Sequence, residues 1–332
     1  MNILVRLPNW LGDMVMATGF IRELQRLAPE SRIDLILKKE LADLAAFMPG
    51  VSRVYLFSKA QYPGLKGALA FGRQIAAQRS YNVFFSLPDS FSSALMGWAS
   101  GSPRRVGYRK EFRSLLLSHA YAKPQGKHRV EEYVYLLERY FKVAVPDPQV
   151  KLSEPAQAGT AGALATQSPA IVLNFNSEAQ SRRMPVEKAV RIVNRLRQET
   201  EAELILIGSP KEVPFVDQIM AGLQEGRQVR SEAGNTTLPQ LAHLIRSADL
   251  MISTDSGPAH LAYSQGTKLL VFFGAGDEAN TGPYRSPGAE VMRVPGMPCA
   301  AYHANTCKFG TPLCLLQLDE DLIVSRAQAL LV

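Results

Sequence analysis

Cysteine is scarce: the 332-residue chain has three, Cys299, Cys307 and Cys314, an odd number crowded near the carboxyl end. That count excludes the disulfide framework of a small secreted protein. Seven and six residues separate them, unlike the close pairs of structural zinc sites, so no metal is assigned. Long apolar runs are missing as well, since none approaches the roughly 18 to 20 residues needed to cross a bilayer. The opening MNILVRLPNW has no basic leader ahead of an apolar stretch, and a cytoplasmic protein is expected. There is no Walker A loop, no dinucleotide glycine fingerprint and no HExxH motif, which weighs against nucleotide hydrolase, dehydrogenase and metalloprotease readings.

Acidic residues are few in the first half. Residues 1–160 hold 22 basic and 13 acidic groups, giving +9, whereas the remainder holds 15 and 17, giving −2. The basic half calls for an anionic partner: nucleic acid, a phosphorylated substrate or an acidic membrane. Its clusters, Arg104, Arg105, Arg109, Lys110 and Arg113, then Lys123, Lys127, His128 and Arg129, contain few aromatics. They suit phosphate or carboxylate groups better than stacked bases, so nucleic acid is not expected as a partner. With 46% hydrophobic and 20% charged residues, the chain reads as globular, and its length fits two domains of about 150 residues.

Apolar strands alternate with helical segments. Strands are expected at 3–5, 33–37, 54–57 and 82–87, with a helix placing Ala17, Phe20, Ile21, Leu24 and Leu27 on one face and another over 65–78. The stretch 146–169, rich in Pro, Ala, Gly, Ser and Thr, reads as a linker. Alternation then resumes, with strands at 170–175, 204–207, 250–253 and 269–273 and helices at 185–200, 213–223, 238–248 and 258–265. The class is α/β: two parallel sheets covered on both faces, in domains 1–160 and 161–332. Ligands of such sheets bind beyond the carboxyl ends of the strands, so a central cleft is the natural site. An apolar tail, about 319–331, is expected as a last helix packing back on the N-terminal domain.

Three segments carry chemistry. Ser253-Thr254-Asp255-Ser256-Gly257-Pro258-Ala259-His260 follows a strand and opens a helix whose free N–H groups suit a diphosphate, although a plain capped turn would look the same. Asn176 to Pro185, with Ser177, Arg182 and Arg183, is a second strand end entering a helix, fit to neutralise phosphate or simply to be solvated. Asp13, just after Gly12 in the first strand-to-helix turn, could take a proton from a hydroxyl or cap the helix.

In order, Trp10-Leu11-Gly12-Asp13-Met14, Arg182-Arg183-Met184-Pro185, Ile207-Gly208-Ser209-Pro210, Ala233 to Leu238, Thr254 to His260, Thr281-Gly282-Pro283-Tyr284 and the cysteine-bearing segment 298–314 resemble the ADP-heptose:lipopolysaccharide heptosyltransferases of glycosyltransferase family 9. The resemblance runs almost end to end. It implies a GT-B fold of two Rossmann-like domains, acceptor on the first and nucleotide-sugar donor on the second. It further implies an inverting, metal-independent transfer of L-glycero-D-manno-heptose from ADP-heptose to the Kdo or heptosyl-Kdo inner core of lipopolysaccharide, with no cofactor. Asp13 falls on the position of the catalytic base. Arg182, Ser256, Gly257 and His260 fall on the leaving-group side, Ser177 beside a phosphate, Glu212 at the ribose, Thr236 at the adenine and Asp255 at the donor sugar or its phosphates. Arg104, Arg105, Arg109, Lys110 and Arg113 are the expected acceptor contacts, and peripheral contact with an anionic inner membrane is expected on its cytoplasmic face. Arg182 stands where the family usually has Lys, Met184 where it has Trp on a donor-pocket wall, and Gly296 where it has a first cysteine. A transferase of another nucleotide sugar in cell-envelope glycan synthesis and a catalytically silent ADP-sugar binder remain alternatives.

Overall fold

The computed structural model describes residues 1–48, 50–153, 168–298 and 305–332. The chain divides into two compact units, residues 1–155 and 156–332. In the first, β1 (Asn2–Arg6), β2 (Arg32–Lys38), β3 (Val51–Phe57), β4 (Val83–Ser86), β5 (Arg104–Tyr108) and β6 (His119–Tyr121) form one parallel sheet in the order β3-β2-β1-β4-β5-β6. Its helices are α1 (Leu11–Met16), α2 (Thr18–Leu27), α3 (Gly64–Gln78), α4 (Phe91–Ala99) and α5 (Arg129–Phe141). The second unit repeats the scheme with β7 (Ala170–Asn174), β8 (Glu203–Leu206), β9 (Val229–Ser231), β10 (Leu250–Thr254), β11 (Lys268–Phe272) and β12 (Ala289–Met292), in the order β12-β11-β10-β7-β8-β9. Its helices are α6 (Val186–Glu199), α7 (Val213–Ala221), α8 (Leu238–Ser247), α9 (Gly257–Gln265), α10 (Glu278–Thr281), α11 (Leu313–Leu316) and α12 (Glu320–Leu331).

Counted within each unit, both orders read 3-2-1-4-5-6, that of a doubly wound Rossmann sheet. The central strands show why. Ile3, Leu4 and Val5 of β1 and Ile171, Val172 and Leu173 of β7 are wholly buried, as strands covered by helices on both faces must be. In the first sheet Phe20 of α2 meets Phe85 of β4 edge to face at 5.3 Å. In the second, Ile192 and Leu196 of α6 close over Ile171, Leu173, Ile252 and Phe272.

One expectation needs correction. The first part of the presumed linker belongs to the N-terminal domain: Leu152 is buried, the Ser153 N–H donates to Phe47 O at 3.0 Å, and Arg22 Nε donates to Lys151 O at 3.2 Å. Residues 154–167 of that stretch lie outside the described residues. The final helix directs its buried face into the C-terminal domain's own core, where Ile323, Val324 and Ala327 join the cluster around α6. Its first turn is pinned by Glu320, 2.9 Å from Lys188 Nζ and 2.8 Å from Arg191 Nε. An apolar helix needs one covered face, and α6 supplies it.

Gly97 on α4 lies against the wholly buried ring of Phe84, where a Cβ would come within 2.2 Å of a ring carbon. Gly97→Val therefore forces α4 away from the sheet and costs about 1–3 kcal/mol, read as a lowered urea midpoint with an unchanged slope. An unaltered midpoint would contradict this packing.

Candidate active site

In each sheet the strand order reverses beside the first strand, between β1 and β4 and between β7 and β10. Loops leaving neighbouring strands at such a point go to opposite faces and leave a crevice at the carboxyl edge. The expected chemistry-bearing segments leave these strands: Asp13 after β1, Ser177 and Arg182 after β7, and Asp255 to His260 after β10.

At the first switch point Asp13 is not the helix cap. Trp10 occupies that position without a side-chain cap, and Asp13 stands in the first turn of α1. Its Oδ1 accepts a 2.9 Å hydrogen bond from the Tyr133 hydroxyl, donated from α5. Tyr133 is buried, and its phenol is pushed well above its ordinary value, by burial first and then by the Asp13 charge. Tyr133 therefore remains a donor. Around this pair runs a chain of ions: Glu132 lies 3.0 Å from Lys123 and 3.2 Å from Arg129, Lys123 lies 3.6 Å from Asp89, and Arg113 lies 3.8 Å from Asp89. Burial opposes the charge on Arg129, but Tyr133, Glu132, Asp13 and Asp89 outweigh it and raise its pKa. Lys123 and Arg129 are legible in sequence only as cations, and Tyr133, Glu132 and Asp89 join them through the fold alone. The signal available for Tyr133 was its place on the inner face of an amphipathic helix, where a tyrosine looks like any core aromatic.

The five arginines and lysines expected to hold the acceptor separate in the structure. Arg113 is buried and binds the protein itself, its guanidinium donating to Ser86 Oγ at 3.0 Å and to the carbonyls of Tyr108 and Pro88. Arg105 donates to the carbonyls of Leu116 and Ser102, both at 2.6 Å. Arg104 opens β5, level with Val83, at the amino edge of the sheet and opposite the edge from which Asp13 emerges. Arg113 and Arg105 thus bind the protein's own backbone and Arg104 is exposed at the amino edge, whereas Arg109, whose guanidinium donates to Ala120 O at 3.4 Å, and Lys110 are exposed just past the end of β5 at the carboxyl edge.

At the second switch point amides and hydroxyls stitch the loops together. Asn174 Nδ2 donates to Ser253 Oγ at 3.1 Å and to Ser256 Oγ at 2.7 Å, Asn176 Nδ2 donates to Ile207 O at 2.6 Å, and Thr254 Oγ1 donates to Asn176 O at 2.7 Å. This lattice, in which Asn174, itself missed from sequence, joins Asn176, Ser253 and Thr254 of the two marked segments, fixes the backbone that presents Ser177, Ser256 and Gly257. Ser256 precedes α9 in extended conformation with Pro258 in the first turn, leaving the first N–H groups of a nine-residue helix without a side-chain cap. Arg182 NH1 lies 3.1 Å from Oδ2 of the buried Asp255. Arg183 is used otherwise, donating to Ser177 O and lying 5.3 Å over the Phe215 ring. His260 is buried, its Nδ1 3.4 Å from the Tyr263 hydroxyl, and with Asp255 and Thr281 it lines a narrow cavity.

Glu212 and Thr236 follow β8 and β9, so the marked residues run along the carboxyl edge from β10 through β7 and β8 to β9. Glu212 Oε2 accepts from the Ser209 N–H at 2.8 Å, closing a capping box. Met184, expected on a pocket wall, is a core residue, because its N–H is tied to Phe175 O and its side chain joins the α6 cluster. Cys314 is buried and Cys307 partly so; Cys299 lies outside the described residues. Among the described residues no three His, Cys, Asp or Glu side chains are grouped to hold a metal ion, and no helix is long and apolar enough to cross a membrane.

Comparison with known proteins places this geometry. The family model for glycosyltransferase family 9 (heptosyltransferase) matches residues 68–311. Lipopolysaccharide heptosyltransferase 2 of Escherichia coli K12 is 28% identical over 89% of this chain and 88% of its own length. Lipooligosaccharide heptosyltransferase 2 of Haemophilus ducreyi is 27% identical, covering 100% of this chain and 99% of that protein. The solved structure of E. coli ADP-heptose lps heptosyltransferase II superposes with a TM-score of 0.84 at 26% identity, over 100% of this chain and 98% of that one. E. coli heptosyltransferase WaaC with ADP, at 17% identity and a TM-score of 0.77, has the same fold. The fold is GT-B, as expected.

Above the ordinary phenol value of 10.0, the unfolded chain gives up the Tyr133 proton while the folded chain keeps it, so stability falls as pH rises. Tyr133→Phe removes that difference and flattens the alkaline limb of the stability curve by about 1.4 kcal/mol per pH unit. Denaturant titrations of both proteins across this range measure the slope, and equal slopes would mean that Tyr133 is not held protonated.

Proposed function

Because the chain belongs to glycosyltransferase family 9, the heptosyltransferase family, we propose that it transfers a heptose from ADP-heptose to the inner core of lipopolysaccharide. The observation that carries the reading is the pairing of a family match with an Arg182–Asp255 pair and an uncapped α9 N-terminus at one switch point. A cation and free N–H groups at such a crevice suit the diphosphate of a nucleotide sugar. Relatives at 28% and 27% identity are both named heptosyltransferase 2, which favours an acceptor already bearing one heptose.

In this reading Asp13 takes the proton of an acceptor hydroxyl through Oδ2, its Oδ1 being held by Tyr133. The hydroxyl oxygen attacks the anomeric carbon from the face opposite ADP, the carbon–oxygen bond to the β-phosphate breaks, and the configuration inverts. Arg182, the N–H groups of Ser256 and Gly257, and His260 receive the charge of the departing ADP, without a metal or other cofactor. Ser177 donates to a phosphate, Asp255 orients Arg182 beside the donor, Glu212 meets the ribose and Thr236 the adenine. Arg109 and Lys110 meet anionic groups of the acceptor. The protein works in the cytoplasm, at the membrane face where that acceptor is assembled.

Calorimetry of the protein with ADP-heptose, ADP-glucose and UDP-glucose in EDTA, followed by ADP release with Kdo-lipid A and heptosyl-Kdo-lipid A, tests the reading. Preference for ADP-heptose with release on the heptosylated acceptor is expected; binding without release on either acceptor would overturn it. Asp13→Ala keeps donor affinity and lowers turnover by about 10² to 10⁴, and near-normal turnover would remove Asp13 from the mechanism. Gly276 touches the same site, for a Cβ there would lie 2.2 Å from Asp255 Oδ2. Gly276→Ala displaces that carboxylate from Arg182 and weakens donor binding about tenfold with little loss of stability; unchanged affinity would show that the Arg182–Asp255 geometry does not matter for the donor.

A further inference from the structure

The carboxyl edge of the first sheet carries a feature that the reaction does not use. Immediately after β5, a 3-10 turn, Glu111–Leu116, raises two large apolar side chains into solvent: Phe112 is 78% and Leu115 83% exposed. We propose that this turn docks the N-terminal domain on an anionic lipid surface, with Phe112 and Leu115 entering the boundary between headgroups and acyl chains. The proposal rests on the reading of the acceptor as a lipid-bound glycan.

Three observations carry it. The turn is rooted, since Arg113, between the two apolar residues, is buried and its guanidinium donates to Ser86 Oγ and the carbonyls of Tyr108 and Pro88. Glu111 at the start of the turn has a φ of 47°, a left-handed backbone that favours glycine. A turn so anchored holds Phe112 and Leu115 outward and does not let them fold back on the domain. Cations stand beside the apolar tip: exposed Arg109 and Lys110 precede it and outnumber the exposed Glu111, and exposed Lys127 lies on the segment leaving β6, the strand paired with β5 through Tyr108 and Tyr121. Exposed apolar groups next to cations match the chemistry of anionic headgroups over acyl chains.

The last observation is position. The root of the turn and Asp13 are ends of one bonded chain, from Arg113 to Asp89, Lys123 and Glu132, and from the adjoining Tyr133 to Asp13. A surface gripped by Phe112 and Leu115 thus stands at a fixed distance from the carboxylate at the same sheet edge. Such coupling serves an acceptor whose reacting sugar is held near the membrane by its own lipid.

Co-sedimentation of the full chain with vesicles of equal parts phosphatidylglycerol and phosphatidylethanolamine, against vesicles of phosphatidylcholine alone, tests the surface. The unaltered protein is expected to bind the anionic vesicles and release them at high salt. Phe112→Ser with Leu115→Ser is expected to weaken this binding at least about tenfold, with an unchanged melting temperature and unchanged turnover of a deacylated, water-soluble acceptor. Phe112→Trp retains vesicle binding, because an indole suits the interface equally well. Vesicle binding unaffected by the double substitution, equal binding to neutral vesicles, or a dimer in sedimentation velocity that the substitution dissolves would each overturn the proposal. Vesicle binding without heptosyl transfer would instead sink the functional reading and leave the docking surface standing.

Discussion

A parallel sheet whose strand order reverses beside its first strand has one opening at its carboxyl edge, and the proposed transfer uses one such opening in each unit. The reversal follows from right-handed crossovers that lay helices on both faces, which in turn demands strands apolar on both sides. Ile3 to Val5 and Ile171 to Leu173 meet that demand. Once the sheets form, Asp13 at one opening and the Arg182–Asp255 pair at the other are in place without further design.

The two openings solve different electrostatic problems. In the proposed reading the second meets an anion with Arg182, half-buried and paired with Asp255, and uncapped helix N–H groups, over a neutral lattice of Asn174, Asn176, Ser253 and Thr254 that holds backbone without adding charge. The first must keep a carboxylate available, and does so with a buried phenol that burial and the Asp13 charge keep protonated. Arg113, Lys123 and Arg129, alternating with Asp89 and Glu132, balance the charge behind it. These three cations and two acids sum to +1, so most of the +9 that marks the first half in sequence lies outside this network.

The doubly wound class and most strands were legible because apolar strands separated by amphipathic helices have one common solution. Residues 90–141 were not read as elements, and the reasons are local: β5, Arg-Arg-Val-Gly-Tyr, opens on two charges and contains glycine, and β6 is three residues long. Without β5, Arg104 and Arg113 look alike, whereas the strand register sends one to the amino edge and a buried position claims the other. Asp13, Ser177, Arg182 and Asp255 to His260 were readable because strand ends and helix starts mark them in the chain. Tyr133 was not, because its partner lies 120 residues away and only the packing of α5 brings the two together.

In the proposed reading the nucleotide diphosphate is held at the second sheet's switch point. Amide hydrogen exchange of the full chain with and without ADP tests it directly. Slowed exchange is expected in residues 175–183 and 253–260, with residues 11–16 unchanged. Protection confined to the β1 edge, or absent from both loops of the second sheet, would contradict it.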